Sequence, residues 1–261
     1  MLSLARLAGK DILITRPLHQ ADSLAARIEA LGGRPWLFPV LEISDVKNKQ
    51  PLLDLVARLD HFDLAVFVSP NAVEKVMPLI HAERDWPGHI RVATVGKGSA
   101  RALERHGVTN VIVPEDGSDS EALLRMPQLQ MIQNKRIVIF RGNGGRTLLG
   151  ETLRARGASV EYAECYRSSK PEADPSPLLK YWHDNGIWAV IISSCEGLYN
   201  LFDMIGETGQ QLLRTTVIFT AHSRIESKAK ELGIQKVYRT PLGDEGTVQG
   251  LLEYSEKIQS H

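Results

Sequence analysis

The chain has 261 residues, 43% of them apolar, with 31 basic and 31 acidic side chains. That length fits one large domain or two ordinary ones, and the apolar share is ample for a core, so disorder is not the default. The charge balance argues against a dedicated nucleic-acid or membrane-surface protein, no apolar run approaches the ~20 residues that span a bilayer, and the two cysteines, Cys165 and Cys195, give neither a CxxC pair nor a disulfide framework. The start of the chain has no basic lead followed by a long apolar segment, so a cytoplasmic location is expected.

Taken in order, residues 10–15 read as a strand and 20–31 as a helix with Leu24, Ile28 and Leu31 on its inner face. Residues 35–43 are extended, 51–59 helical from Pro51, and 64–68 a buried strand that turns through Ser69-Pro70-Asn71 into a helix. Strand 92–95 leads through Gly96-Lys97-Gly98-Ser99 into a helix to His106, a short strand follows at 111–113, and a helix lies around 121–125. Strand 137–140, helix 147–156 and strand 160–165 come next, then a Pro-rich stretch at 170–177. The remainder gives helix 178–184, strand 188–192, helix 196–205, strand 217–220, helix 223–232, strand 236–238 and helix 245–257.

The chain repeats itself. Residues 9–42 align without a gap on 134–167 at an offset of 125, with Ile12 on Ile137, Arg16 on Arg141, Leu24 on Leu149 and Gly32 on Gly157. Residues 64–73 fall on 189–198 at the same offset, and 92–107 align at 126. Strands alternating with helices predict parallel sheets covered on both faces, and the duplication favours two open α/β domains over one barrel.

In open α/β sheets ligands bind beyond the carboxyl ends of the strands. Those loops hold Thr15 and Arg16, Ser69 and Asn71, Gly96, Lys97 and Ser99, the run Arg141-Gly142-Asn143-Gly144-Gly145-Arg146, Ser193 and Ser194, and Ser223. Most open a helix, where free N–H groups and partial positive charge suit anions. For any single loop, helix capping explains the small polar residues equally well. Several such loops in each half describe a site for a large ligand bearing many carboxylates or phosphates.

Nucleotide chemistry is only half supported. GxxxxGK[ST] is absent; a G-x-G-x-x-G fingerprint starts at Gly142 and Gly144 but meets Thr147 at its third glycine, with Glu161 and Glu164 roughly where a ribose-binding acid belongs. Strand ends carry no acidic phosphotransfer pocket, His and Cys show no metal-ligand spacing, and no GxSxG occurs. Tyr166 ends the second repeat where the first has Leu41; its phenol can donate to a departing oxygen or simply pack on a strand end.

The motifs ILITRP at 12–17, FPVLEI at 38–43, VSPNAV at 68–73, TVGKGSARAL at 94–103, IFRGNGGRTLLGETLRARGA at 139–158, ECYR at 164–167 and IISSCEGL at 191–198 resemble, in this order, the uroporphyrinogen-III synthase family. The resemblance implies two similar open parallel-sheet domains, flavodoxin-like or Rossmann-like, joined by a two-stranded antiparallel connection with a cleft between them. It implies interleaved domains, 1–37 plus 171–261 and 43–162, with 38–42 and 163–170 crossing. It implies a cyclising lyase that converts hydroxymethylbilane, a linear tetrapyrrole with eight carboxylates, to uroporphyrinogen III with loss of water and inversion of ring D, using no metal and no organic cofactor. Tyr166 matches the family tyrosine proposed to assist hydroxyl departure, and Ser99 a family hydroxyl position. The related hydroxyl position in the other half is Ile225 here, with Ser223 as its nearest substitute. A monomer is expected. The competing reading is a non-catalytic clamshell for a small anion or nucleotide.

Overall fold

The computed structural model describes residues 6–259. Its chain divides into two compact units, one running up to Glu42 and resuming at Ser169, the other Ile43–Ser168.

Unit 1 holds β1 (Asp11–Ile14), α1 (Leu18–Ala30) and β2 (Arg34–Leu37). The chain then enters unit 2 along β3 (Glu42–Ser44), and continues with α2 (Gln50–Ala57), β4 (Leu64–Phe67), α3 (Pro70–Glu83), β5 (Arg91–Thr94), α4 (Lys97–Arg105), α5 (Ser120–Arg125), β6 (Arg136–Gly142), α6 (Leu148–Ala155) and β7 (Ser159–Ser169). Back in unit 1 come α7 (Ser176–Asn185), β8 (Ala189–Ile191), α8 (Cys195–Met204), α9 (Gly206–Thr215), β9 (Val217–Thr220), α10 (Ser223–Glu231), β10 (Val237–Arg239) and α11 (Gly243–Gln259).

The sheet of unit 1 has the order β10-β9-β8-β1-β2, and that of unit 2 the order β3-β7-β6-β4-β5. Every neighbouring pair with a defined register runs parallel. The residues expected to form a short strand at 111–113 make only a single parallel bridge, Ile112 to Ala93, next to β5. With that bridge counted, the two sheets have one plan. Ile12 pairs with Ala189 in unit 1, and their counterparts Ile137 and Leu64 pair in unit 2. Asp11 pairs with Arg34, and Arg136 with Ser159. The repeat is therefore not two sequential domains. Each sheet combines the first piece of one copy with the second piece of the other.

The buried strands explain the parallel arrangement. β1, β4 and β9 are buried at every residue, as they must be when helices cover both faces. In unit 2 one face packs Phe67 and Phe140, stacked at 4.8 Å between ring centroids, against α3 and α4; such a pair contributes ~1 kcal/mol beyond its area. The other face packs Val66, Ile137 and Ile139 against α5 and α6. The core of unit 1 divides the same way around Leu13 and Val190 on one face and Ile12 and Phe219 on the other.

Candidate functional site

The carboxyl edge of the unit 2 sheet is built around Tyr166. Along β6 and β7, Phe140 pairs with Ala163 and Arg141 with Glu164, but Gly142 pairs with Tyr166, so β7 bulges by one residue. Ala163 and Cys165 face the core shared with α3. Strict alternation would send Tyr166 to the opposite face; the bulge turns it back, and its ring packs against that same core. There the phenol ring abuts Gly142, where an added Cβ would stand 2.6 Å from the ring carbon Cε2. Its oxygen receives a hydrogen bond from Ser69 Oγ at 3.0 Å. Ser69 is the N-cap of α3, extended at φ −159°, and its Oγ accepts from the Ala72 N–H at 3.1 Å. Asn71 is half-buried in the first turn of the same helix.

The thiol of Cys165 donates to the Arg141 carbonyl at 3.2 Å, next to the register shift between Arg141 and Gly142. Burial pushes this thiol up to about 12, so it packs and donates rather than acting as a nucleophile.

The glycine-rich loop is held from both sides. Asn143 clamps the Ser168 backbone, its Oδ1 accepting from the N–H at 2.7 Å and its Nδ2 donating to the carbonyl at 3.3 Å. Arg141 folds over its own loop, donating to the carbonyls of Gly144 and Arg146, with its guanidinium 4.9 Å above the Tyr162 ring. Gly145, at φ +100°, supplies the left-handed residue the turn needs. Arg146 forks onto the carboxylate of Glu121. The dinucleotide reading loses ground here. The glycine that lets the helix approach the strand is Gly150, whose added Cβ would strike the Tyr162 hydroxyl at 2.0 Å, and Glu161 is paired with Arg58.

Beside this edge, Gly96 caps α4, its N–H donating to Thr94 Oγ1 at 3.1 Å. Lys97 is exposed and makes no ion pair among the described residues. Ser99 is buried at 2% exposure on the inner side of α4. Its counterpart Ile225 is likewise 2% exposed on α10. The position is interior in both units, which explains how it takes either a hydroxyl or a branched alkyl group.

Unit 1 repeats the caps without the tyrosine. Ser194 caps α8, accepting from Gly197 N–H at 2.9 Å, and the His222 N–H donates to Thr220 Oγ1 at 3.3 Å, as Gly96 does to Thr94. Thr15 is buried and donates to the Ile191 carbonyl at 2.8 Å. Ser193 and Ser223 are exposed. Arg16 pairs with Asp244 in the first turn of α11 at 2.5 Å, a partner that strand-by-strand reading missed; the acidic Gly243-Asp244-Glu245 helix start was its one signal. A cavity of about 80 Å³ at this edge touches Arg16, Ser193, Thr220, His222, Gly243 and Thr247. A larger hollow of about 400 Å³, between α2 and β7, is lined by Leu52, Leu55, Glu161 and Arg167. It touches none of Ser69, Lys97, Arg141 or Tyr166, so size does not make it the site.

The geometry has three parts: caps that consume serine and threonine lone pairs, loop arginines turned onto local acceptors, and one phenol on a glycine platform. Among the described residues no helix is long and apolar enough to cross a membrane.

A sequence model of the family described as Uroporphyrinogen-III synthase HemD matches residues 22–249. The uroporphyrinogen-III synthase of Salmonella typhimurium is 36% identical over 230 residues, covering 87% of this chain and 93% of the relative. That of Escherichia coli K12 is 34% identical over 230 residues, with the same coverage of each chain. Among solved structures, a uroporphyrinogen III synthase of Thermus thermophilus superposes with a TM-score of 0.66 at 20% identity, covering 95% of this chain and 99% of that one. The Helicobacter pylori 26695 enzyme gives 0.55 at 13% identity, covering 94% and 99%. The structural likeness carries the fold, the sequence match spans both units, and by that match the chain belongs to the uroporphyrinogen-III synthase family.

Proposed function

We propose that the strand-end loops of both units bind the carboxylates of hydroxymethylbilane, and that Tyr166 assists departure of its terminal hydroxyl. The chain is a cyclising lyase of porphyrin biosynthesis, and its substrate is a linear tetrapyrrole. In the reaction the terminal C–O bond breaks and the oxygen leaves with its electron pair as water. The pyrrole nitrogen lone pair fills the vacancy and its N–H proton is lost, giving a neutral azafulvene and balancing the proton taken up by the departing oxygen. The substituted carbon of ring D attacks that electrophile, and the resulting spiro intermediate opens and recloses with ring D inverted. Closure without inversion gives the type I isomer, so holding the chain in a folded pose is the main catalytic task.

The observation that carries this reading is the Tyr166 phenol on Gly142, in hydrogen-bond contact with Ser69 at the start of α3. A neutral phenol there can donate to the leaving oxygen. Around it, the loops at Ser69-Pro70-Asn71, Gly96-Lys97 and Arg141–Arg146 supply N–H groups and the Lys97 ammonium. In unit 1 Thr15-Arg16, Ser193-Ser194 and Ser223 do the same. Ser99, interior to α4, supports this edge from behind. We place the protein in the cytoplasm as a monomer.

Supplying hydroxymethylbilane and resolving the uroporphyrin isomers tests the reading: type III in excess over an enzyme-free blank is expected, and type I alone would sink it. Tyr166→Phe is expected to lower turnover by about 100-fold, the scale of a lost proton donor; unchanged turnover would leave Tyr166 a packing residue.

A further inference from the structure

Ser69 is engaged on two sides. Its Oγ accepts from the Ala72 N–H at 3.1 Å and donates to Tyr166 Oη at 3.0 Å. A serine hydroxyl has one proton. With that proton on the phenol oxygen, the phenol's own O–H is directed away from Ser69. The arrangement is also cooperative. Ala72 N–H belongs to the positive end of the 14-residue helix α3, so it polarises the serine hydroxyl, and the polarised hydroxyl in turn strengthens the phenol as a donor.

We propose that Ser69 is a positioning residue for Tyr166, directing and strengthening its donated proton, and that its hydroxyl does not bind a substrate carboxylate. The inference rests on the assignment of Tyr166 to hydroxyl departure made above. It leaves carboxylate binding in that loop to Asn71 and the backbone.

The other unit separates this role from capping. Ser194 occupies the equivalent position and caps α8 in the same way, accepting from Gly197 N–H at 2.9 Å. The residue equivalent to Tyr166 is Leu41, whose Cδ1 lies 3.7 Å from where a Cβ on Gly197 would stand. Both units keep the serine because both helices need a cap. Among the described residues, the capping serine donates to a tyrosine oxygen in unit 2 alone. The glycine platform is not repeated in the other copy, where Pro17 stands in place of Gly142 and Leu41 in place of Tyr166.

A double-mutant cycle tests the relay. Ser69→Ala, Ser69→Gly, Ser69→Thr, Tyr166→Phe and the double Ser69→Ala/Tyr166→Phe are assayed on hydroxymethylbilane for kcat, KM and type III yield. Ser69→Gly is included because glycine at an N-cap costs only a few tenths of a kcal/mol, so one hydroxyl-free protein folds even if the alanine variant does not. Without the hydroxyl, kcat is expected to fall about tenfold with KM held within about twofold, the scale of one lost hydrogen bond to a polar transition state. Ser69→Thr, which keeps both cap and proton, restores turnover. In the Tyr166→Phe background, removing the Ser69 hydroxyl costs nothing further. A rise in KM at constant kcat, or a full second loss in the Tyr166→Phe background, would show that Ser69 meets the substrate and would overturn the relay while leaving Tyr166 in its role. Wild-type turnover by Tyr166→Phe would instead remove the Tyr166 assignment and the relay with it.

Discussion

In unit 1 the repeated copy β1–α1–β2 leads to Leu41, and in unit 2 the copy β6–α6–β7 ends on Tyr166. Their registers agree pair for pair, and so do the serine caps that face each end. What differs is strand length and what the loop arginine touches. β2 is 4 residues long, whereas β7 runs for 11 and carries the bulge. Arg16 is paired with a carboxylate from α11, whereas Arg141 is folded onto carbonyls of its own loop and the Tyr162 ring. Duplication thus supplies two anion-suited edges from one plan, and a one-residue register shift of β7 against β6, with no insertion in the sequence, places a phenol at one of them. The scaffold is common to both units; the chemistry needed a break in its regularity.

The most direct way to break the comparison is to give the second copy a side chain under the ring. The equivalent position in the first copy, Pro17, already has a Cβ, and the residue equivalent to Tyr166 there is Leu41. Gly142→Ala would put a methyl group 2.6 Å from Tyr166 Cε2, and the ring must move. Turnover is expected to fall by about 100-fold, as for the loss of the phenol itself, with a stability loss of about 1–3 kcal/mol from overpacking. Kinetics and thermal unfolding measure the two effects separately. Near-native turnover would mean that the platform does not set the phenol's position.

A smaller effect is expected in unit 1. Arg16→Ala removes a partly buried partner and leaves Asp244 without its ion pair. KM for hydroxymethylbilane should rise several-fold with kcat nearly constant, because the role proposed for this arginine is binding without proton transfer, and stability should fall by about 1–2 kcal/mol. A kcat effect as large as that at Gly142 would erase the division of labour between the two units.

Much of this was legible from the sequence because buried parallel strands are continuous apolar runs, and β1, β4, β5, β6, β8 and β9 all lie within a residue or two of the stretches that read so. Helix α9 went unread: Gly206 at φ +58° breaks the chain between α8 and α9 without leaving a polar loop to mark it. The strand expected at 111–113 shrinks to one bridge, since three apolar residues next to a sheet edge need not complete a ladder. In the site, the loops and Tyr166 were readable as types, but their partners were not. Asp244 lies 228 positions from Arg16, and no local pattern links them. The bulge is invisible because alternation along the strand would put Cys165 and Tyr166 on opposite faces; only the register against β6 and the shared core show that the tyrosine has changed face. Ser99 could be recognised by position but not by depth, which depends on how α4 is rolled against β5.

The two cysteines sharpen the contrast at the level of single side chains. Both thiols are free; Cys165 is buried and Cys195 half-buried. Burial pushes Cys165 up to about 12, so at pH 8 it stays a thiol and remains bonded to the Arg141 carbonyl. A thiol reagent should therefore modify one cysteine, Cys195, in the native protein and both after denaturation. Two equally fast native thiols would show that the bulge opens readily and does not hold Tyr166 fixed.

The smallest expected effect concerns how each serine-capped helix is tied to the segment beside it. In unit 2, Lys75 of α3 reaches Asp45 just after β3, and Lys49 shares the same carboxylate. In unit 1 the residue equivalent to Lys75 is Asn200, which donates to the Val40 carbonyl at 2.9 Å. One tie is ionic and the other neutral. Hydrogen bonds from Lys49 and then Lys75 hold Asp45 at about 2, below its ordinary 3.8. A carboxyl group lowered on folding stabilises the native state above its unfolded value and loses that contribution as pH falls through the folded one. The stability difference between the wild-type chain and Asp45→Asn should accordingly be present above about pH 4, vanish toward pH 2, and shrink in high salt, because the group is exposed and its partners are screened. Asn200→Ala should show neither dependence, since its hydrogen bond carries no charge. A carboxyl titration placing Asp45 near 4, or a salt-independent difference, would mean that the ionic tie adds nothing and that α3, like α8, is held by its cap and its packing alone.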